Sequence, residues 1–330
     1  MTEPIVRANL SDELRLRGYT LLQRLGRGAT SEVFEARQAT TSRRVAIKVT
    51  APDLVDPGPV TERLLTAWNV GRGLRHPHLV ATLDGGRLSD GRAWVVMERL
   101  KGRDLQQVLD AEGRLPPARA VHVMRQVCEA LLVLHRRGVI HRDVKPENIF
   151  VCAAGNFADH VKLIDLGVLR VDEDDPHRAH PVTGPIIMGT PLYLAPELAQ
   201  GAPPTPMSDL YAVGAVLFHL LGGAPPFDGE EPTAVIERHI NEPAPPLATD
   251  EPLPEMLQAL VARCLDKNPA ARPATPVELI AGLDQALMQL AGEAHVDARA
   301  GLELPAVPPA GVTAEWRHFA DALLTNLTVC

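Results

Sequence analysis

Several function classes are excluded by what the 330-residue chain lacks. Its four cysteines, Cys128, Cys152, Cys264 and Cys330, are scattered without C-x-x-C spacing. They indicate neither a zinc site nor a disulfide framework, and they fit a reducing compartment. No stretch reaches the ~20 apolar residues of a bilayer span; the most hydrophobic run, 210–223, contains His219 and reads as a buried helix. Residues 1–17 are charged and lack the apolar core of a signal peptide, so the expected location is the cytoplasm. There is no long Lys/Arg block and the net charge is -8, which argues against nucleic-acid binding and polybasic membrane contact. A G-K-[ST] sequence is missing, which removes the Walker A loop. Internal repeats and low-complexity tracts are absent too. What remains, with 45% hydrophobic and 22% charged residues, is an ordinary globular composition with room for one two-lobed domain and a tail.

The most informative stretch is His141-Arg142-Asp143-Val144-Lys145-Pro146-Glu147-Asn148. Gly138-Val139-Ile140 leads in and Ile149-Phe150-Val151 leads out, so a polar loop sits between two short buried strands. Asp143 can accept a hydroxyl proton, Lys145 can neutralise a phosphoryl oxygen, and Asn148 offers a neutral oxygen to a hard cation such as magnesium. These are parts for phosphoryl transfer. Upstream, the strand-like segment 19–25 runs into Gly26-Arg27-Gly28-Ala29-Thr30-Ser31, and a second strand, Glu32-Val33-Phe34-Glu35-Ala36, follows. Glycines in such a turn let backbone N–H groups approach a polyphosphate. A dinucleotide-binding fingerprint would open a helix instead. Val45-Ala46-Ile47-Lys48 forms a further strand ending in a lysine, and Val161-Lys162-Leu163-Ile164 leads to Asp165-Leu166-Gly167, an acid before a glycine.

Taken together, these motifs resemble those of the protein kinase family, specifically the bacterial Ser/Thr kinases of eukaryotic type, from about residue 18 to about residue 290. The resemblance implies an α+β, bilobal fold. A small β-rich lobe with one helix spans about 18–97, a hinge 98–102, and a larger, mainly α-helical lobe 103–290. Residues 1–17 are then an N-terminal tail, and 291–330 a linker plus an amphipathic C-terminal helix. The implied reaction is transfer of the γ-phosphoryl group of ATP to protein Ser/Thr hydroxyls, with Mg2+. The family pattern makes Asp143, Lys145 and Lys48 catalytic, and Asn148 and Asp165 the metal pair. Nucleotide contacts fall on Leu25, Gly26, Gly28, Val33, Ala46, Lys48, Met97, Glu98, Leu100, Asp104 and Phe150. Met97 is the gatekeeper, backbone groups around Glu98 and Leu100 meet the adenine edge, and Asp104 stands where an acid meets the ribose. Thr190 is expected to bond Asp143 and Lys145, Glu197 to pair with Arg272, and Asp209 to hold the catalytic loop. Relatives with a membrane span after the kinase domain differ from this chain, which shows none.

The remaining segments follow from pattern. Helical spacing covers 119–137, read as core on one face that includes His135, and also 207–221 and 255–265. The acidic, proline-containing segment 168–188 reads as a loop. There Arg142 and Arg170 are placed to clamp a phosphate on Thr183, the only hydroxyl residue before Thr190. In the tail, Trp316, Phe319, Ala320, Leu323, Leu324 and Leu327 line one face of a short helix. It is expected to dock on its own lobe or, alternatively, on a regulatory protein.

One departure from the family stands out. Active relatives carry a glutamate about nine residues before His76, paired with the strand lysine; here that position is Ala67. Glu62, the only glutamate between Lys48 and Val80, lies ~140° round the helix at ~100° per residue and so does not reach Lys48. Gly71 and Gly73 weaken the helix further, by up to ~1 kcal/mol each. A pseudokinase or nucleotide-binding scaffold is therefore the competing reading.

Overall fold

The computed structural model describes residues 3–154, 157–165, 169–170 and 191–300. Strands β1 (Tyr19–Arg27), β2 (Ser31–Gln38), β3 (Arg44–Thr50), β4 (Thr82–Arg87) and β5 (Ala93–Glu98) make an antiparallel sheet in the order β1-β2-β3-β5-β4. Strand alternation separates its faces. Val45, Ile47 and Val49 share one face with Trp94 and Val96, whereas Ala46 and Lys48 share the other with Val95 and Met97.

The Val45–Trp94 face is covered by helix α1 (Glu3–Leu16), whose Leu10 and Leu14 are buried with Tyr19, Leu88 and Trp94. Residues 3–16, expected as part of a tail, thus form a layer of the small lobe. The small lobe also has two helices where one was expected, the second being α2 (Gly58–Gly71), packed on β4 and β5. The sequence hid this because two leucines one turn apart among charges do not show which surface they cover.

The hinge leads into β6 (Gly102–Asp104), which pairs with β8 (Ile149–Ala154). Gly102 has φ 144°, and a Cβ there would lie 2.0 Å from the Val151 carbonyl oxygen, so only glycine lets the two strands pair so closely. The large lobe continues with α3 (Leu105–Glu112), α4 (Pro117–Arg136), β7 (Val139–Ile140), β9 (Phe157–Leu163) and β10 (Leu169–Arg170). It ends with α5 (Pro196–Ala199), α6 (Pro206–Gly222), α7 (Pro232–Asn241), α8 (Glu255–Cys264) and α9 (Pro276–Ala300). Helix α9 runs past the boundary expected at 290, and residues 313–330 lie outside the described residues.

Helix α6 is the hydrophobic run, and it is buried within the lobe. A capping box between Thr205 and Ser208 starts it, with Pro206 at the first turn, and Gly223 at φ 83° ends it. No helix among the described residues is long and apolar enough to cross a membrane.

Among the described residues one isolated parallel bridge, Leu79 with Leu163, helps to join the lobes. The Leu163 N–H donates to the His78 carbonyl at 2.9 Å and the Val80 N–H to the Leu163 carbonyl at 3.1 Å. The His78 ring continues the seam, with Nδ1 2.9 Å from the Val161 carbonyl oxygen and Nε2 3.2 Å from Glu129.

His239, fully buried beside Tyr211 and Phe227, carries a testable cost. Burial first, then the Lys267 charge, lowers its pKa from 6.5 to about 4. The unfolded chain takes up this proton below about pH 6.5 and the folded chain does not, so stability is full above that pH and falls as pH drops towards 4. Between pH 7 and pH 5 the loss from this group is on the order of 2 kcal/mol. Urea unfolding of His239→Gln should show a smaller difference between pH 7.5 and pH 5 than the parent chain; an equal difference would refute the assignment.

Candidate active site

The loop between β7 and β8 is held from below by one carboxylate. Asp209, in the first turn of α6 and 1% exposed, accepts the His141 N–H at 2.9 Å on Oδ2 and the Arg142 N–H at 2.8 Å on Oδ1. His135 Nε2 lies 2.8 Å from the same Oδ2. The grip holds Arg142 at φ 70°, in the left-handed region that a non-glycine residue enters only when its surroundings require it. The chain is thereby redirected so that Asp143, Lys145 and Asn148 converge. Asn148 donates from Nδ2 to the Asp143 carbonyl at 2.7 Å and to Asp143 Oδ2 at 2.8 Å, and Lys145 Nζ lies 3.1 Å from Asp143 Oδ1. Burial pushes the Asp143 pKa up, but the Lys145 charge and the bonds from Lys145 and Asn148 outweigh it and leave the carboxyl below its usual range.

Asp165 is brought to this loop by β9, because the Ile164 N–H donates to the Asn148 carbonyl at 2.8 Å. It too is left-handed, at φ 54°. Its Oδ1 takes a 2.6 Å bond from Lys48 Nζ, 117 residues away in sequence. The donor set suits magnesium. With Asn148 Nδ2 spent on Asp143, its Oδ1 receives no bond from a described residue, and neither does Asp165 Oδ2. Two hard oxygens fit a cation that fills its remaining positions with phosphate and water. Among the described residues no group of three or more His, Cys, Asp or Glu makes a self-contained metal cage.

The residues expected to meet a nucleotide are brought together by the sheet. Val33 pairs with Gly26 on one side and Lys48 on the other, so the glycine turn sits next to the lysine. Gly28 closes that turn through its N–H to the Ser31 carbonyl at 2.9 Å, and Leu25 is partly exposed on β1. Ala46 pairs with Met97 across β3 and β5. The Glu98 carboxylate is occupied structurally, accepting from the Ala81 N–H at 2.8 Å and Lys162 Nζ at 2.8 Å, and Leu100 follows in the connector. Asp104 is the N-cap of α3, with Oδ1 accepting the Gln107 N–H at 2.8 Å, so one of its oxygens is already committed. Phe150 pairs with Asp104 and Lys162.

Some residues have roles that spacing did not reveal. His135, read as core, is part of the polar support around Asp209. Arg142 has a buried Nε without a partner among the described residues, and burial, then the Arg63 charge of α2, lowers its pKa to about 10. Arg63 carried no signal because its neighbourhood depends on how α2 packs. The Glu197–Arg272 pair is present at 2.7 and 2.8 Å, with Arg272 1% exposed. Glu62 bonds Arg87 at 2.5 Å and not Lys48, while Ala67 packs towards the large-lobe core. Leu166, Gly167, Thr183 and Thr190, with the side chain of Arg170, lie outside the described residues.

Comparison with known proteins agrees with this geometry. The protein kinase domain model matches residues 19–282. The chain belongs to the protein kinase family. Serine/threonine-protein kinase pkn3 of Myxococcus xanthus is 35% identical over 260 residues, 78% of this chain and 48% of that protein. The probable serine/threonine-protein kinase PknB of Corynebacterium glutamicum is 37% identical over 299 residues, 87% and 45%. Serine/threonine-protein kinase PknB of Mycobacterium tuberculosis is 38% identical over 288 residues, 86% and 44%. The chain spans just under half the length of these relatives. The bilobal fold expected of a kinase is the fold observed, with α1 as the addition.

Asp209→Asn tests the support of this kinase loop. The amide keeps the volume but faces a buried N–H with a donor, so urea unfolding should show a loss of about 2–3 kcal/mol. Unchanged stability would mean that the loop is held by other contacts.

Proposed function

We propose that the chain is an ATP-dependent Ser/Thr protein kinase that uses Mg2+ and acts on protein substrates in bacterial signalling. The observation that carries this reading is the convergence of Lys48, Asp143, Lys145, Asn148 and Asp165 from strands and a loop far apart in sequence. When bound between Asn148 and Asp165, magnesium would offset phosphate charge. The protein's own residues orient and neutralise. A substrate hydroxyl oxygen forms a bond to the γ-phosphorus as the bond from that phosphorus to the β-phosphate oxygen breaks, and the hydroxyl proton passes to Asp143. A carboxyl held below its usual range is a weak base, so proton acceptance is late and Asp143 acts chiefly by orientation. Lys48 and Lys145 bear on the phosphoryl oxygens, and most of the acceleration comes from alignment and charge compensation in a shielded cleft.

The same reading gives the adenine a pocket between Leu25, Val33 and Ala46 above and Phe150 below, with Met97, Glu98 and Leu100 along its edge and Asp104 towards the ribose. Gly26 and Gly28 leave room for the phosphates. Regulation is proposed through a phosphate on Thr183 bound by Arg142 and Arg170, and through the apolar face of 313–330, docked on this lobe or on a regulatory protein. The proposed place of action is the cytoplasm. A binding-only role finds no support in the relatives, which are named as kinases.

Incubating the purified chain with radiolabelled ATP and a basic protein substrate tests the reaction. Asp143→Asn and Asp165→Asn should each cut transfer by about 10²–10⁴-fold while leaving the melting temperature near that of the parent. Parent-like turnover by either variant would end the assignment. Ala67→Glu addresses the missing acid: a carboxylate at that register should draw Lys48 from Asp165 and raise the transfer rate. No gain in a variant that folds and binds ATP normally would show that the helix register differs from that of the family.

A further inference from the structure

Nothing on the inner face of α2 holds Lys48. The lysine's partner is Asp165, and the helix presents Ala67 towards the large-lobe core. Helix α2 is also poorly secured by its own sequence. Its N-cap is Pro57 without a side-chain bond, and it carries no acid in its first turn and no base in its last.

Besides the packing of Ala67 and Val70 on the large-lobe core, its anchors lie on the β4–β5 hairpin. The Trp68 ring rests on Gly85 of β4 so closely that a Cβ at Gly85 would sit 2.8 Å from two ring carbons. Glu62 accepts a 2.5 Å bond from Arg87, the last residue of β4, and Arg87 also donates to the Gly91 carbonyl at 3.1 Å, closing its own hairpin. That hairpin is gripped in turn by α1. Glu13 accepts the Ser89 N–H at 2.9 Å and the Ser89 hydroxyl at 2.8 Å, while Arg17, just beyond α1, donates to Glu13 at 2.7 Å and to the Arg87 carbonyl at 3.3 Å. The Arg17 guanidinium stands 5.5 Å over the Trp94 ring. Burial raises the Glu13 pKa, but the bonds from Arg17 and Ser89 outweigh it and keep the carboxyl ionised.

We propose that α1 and the β4–β5 hairpin hold α2 from outside, supplying the positioning that an acid at residue 67 would otherwise give. Glu13, Ser89, Arg87, Glu62 and Trp68 are thus positioning residues for the nucleotide lobe. They touch neither ATP nor the reacting atoms, and they act through the placement of α2 beside the strand that carries Lys48. The part of the inference that concerns ATP rests on the kinase reading; the part that concerns α2 does not. No single contact is strong, since Arg87 and Glu62 are 46% and 68% exposed. The effect is carried by the series.

The test uses the full chain and two readouts, deuterium exchange at the α2 amides and the KM and kcat for MgATP. Arg87→Ala should speed α2 exchange by about 2–5-fold, the range of an exposed ion pair, and raise KM by a similar factor with little change in kcat. The charge swap of Arg87→Glu with Glu62→Arg should restore both. Glu13→Gln combined with Ser89→Ala should reproduce the loosening of α2 without altering any residue that touches it. Unchanged α2 exchange in Arg87→Ala and in the Glu13/Ser89 variant would overturn the proposal, as would a uniform rise across the small lobe that the swap does not reverse. Faster α2 exchange with an unaltered KM would overturn its catalytic part. If the parent chain transfers no phosphate, the exchange data still decide whether α2 is held this way, and the kinase reading fails separately.

Discussion

The site depends on a carboxylate that does no chemistry. Asp209 is buried at the start of α6, where the helix dipole favours negative charge, and it spends both oxygens on the backbone of the loop between β7 and β8. Two N–H groups that the left-handed turn at Arg142 would otherwise leave buried are satisfied by it. Asp143, Lys145 and Asn148 inherit their positions from that turn. Because α6 is also the most buried helix of the large lobe, the loop is referred directly to the core. A loop fixed in this way can hold Lys145 and Asn148 within bonding distance of Asp143 without help from a ligand.

A second layer of support joins this loop to the small lobe. The Asn148 carbonyl receives the N–H of Ile164, and the residue before it, Leu163, makes the bridge to Leu79. The Asp165 end of β9 and the segment that follows α2 are therefore neighbours. Lys48 reaches across from β3 to Asp165, and Lys162 of β9 reaches Glu98 of β5, so among the described residues two ion pairs join the sides of the cleft. With Oδ1 of Asp165 used by that lysine, Oδ2 and the Asn148 oxygen are left for a cation, a division of labour that follows from having two oxygens and one lysine.

The small lobe shows how an absent residue is accommodated. With Ala67 where relatives carry a glutamate, α2 packs Ala67 and Val70 on the large-lobe core and is bonded to the β4–β5 hairpin, which in turn is bonded to α1. The same α1 shields the Val45–Trp94 face of the sheet from water. One helix therefore both buries an apolar surface and bonds the β4–β5 turn through Glu13.

Local pattern by itself located the polar loop 141–148, the strand lysine, Asp165 and the buried run 210–223, and the resemblance carried by these motifs implied the bilobal class. Each of these is written in contiguous residues whose chemistry and spacing are specific. It also determined that Glu62 does not replace the acid missing at Ala67, because helix geometry alone sets that angle. Only the tertiary structure decided that residues 3–16 form a layer of the small lobe, that His135 belongs to a polar cluster, that Arg63 approaches Arg142, and that Lys48 meets Asp165. These rest on contacts between segments tens of residues apart. A charged helix with leucines one turn apart, or a histidine on an apolar stripe, has the same local sequence whether its partner is water, a sheet face or a buried carboxylate.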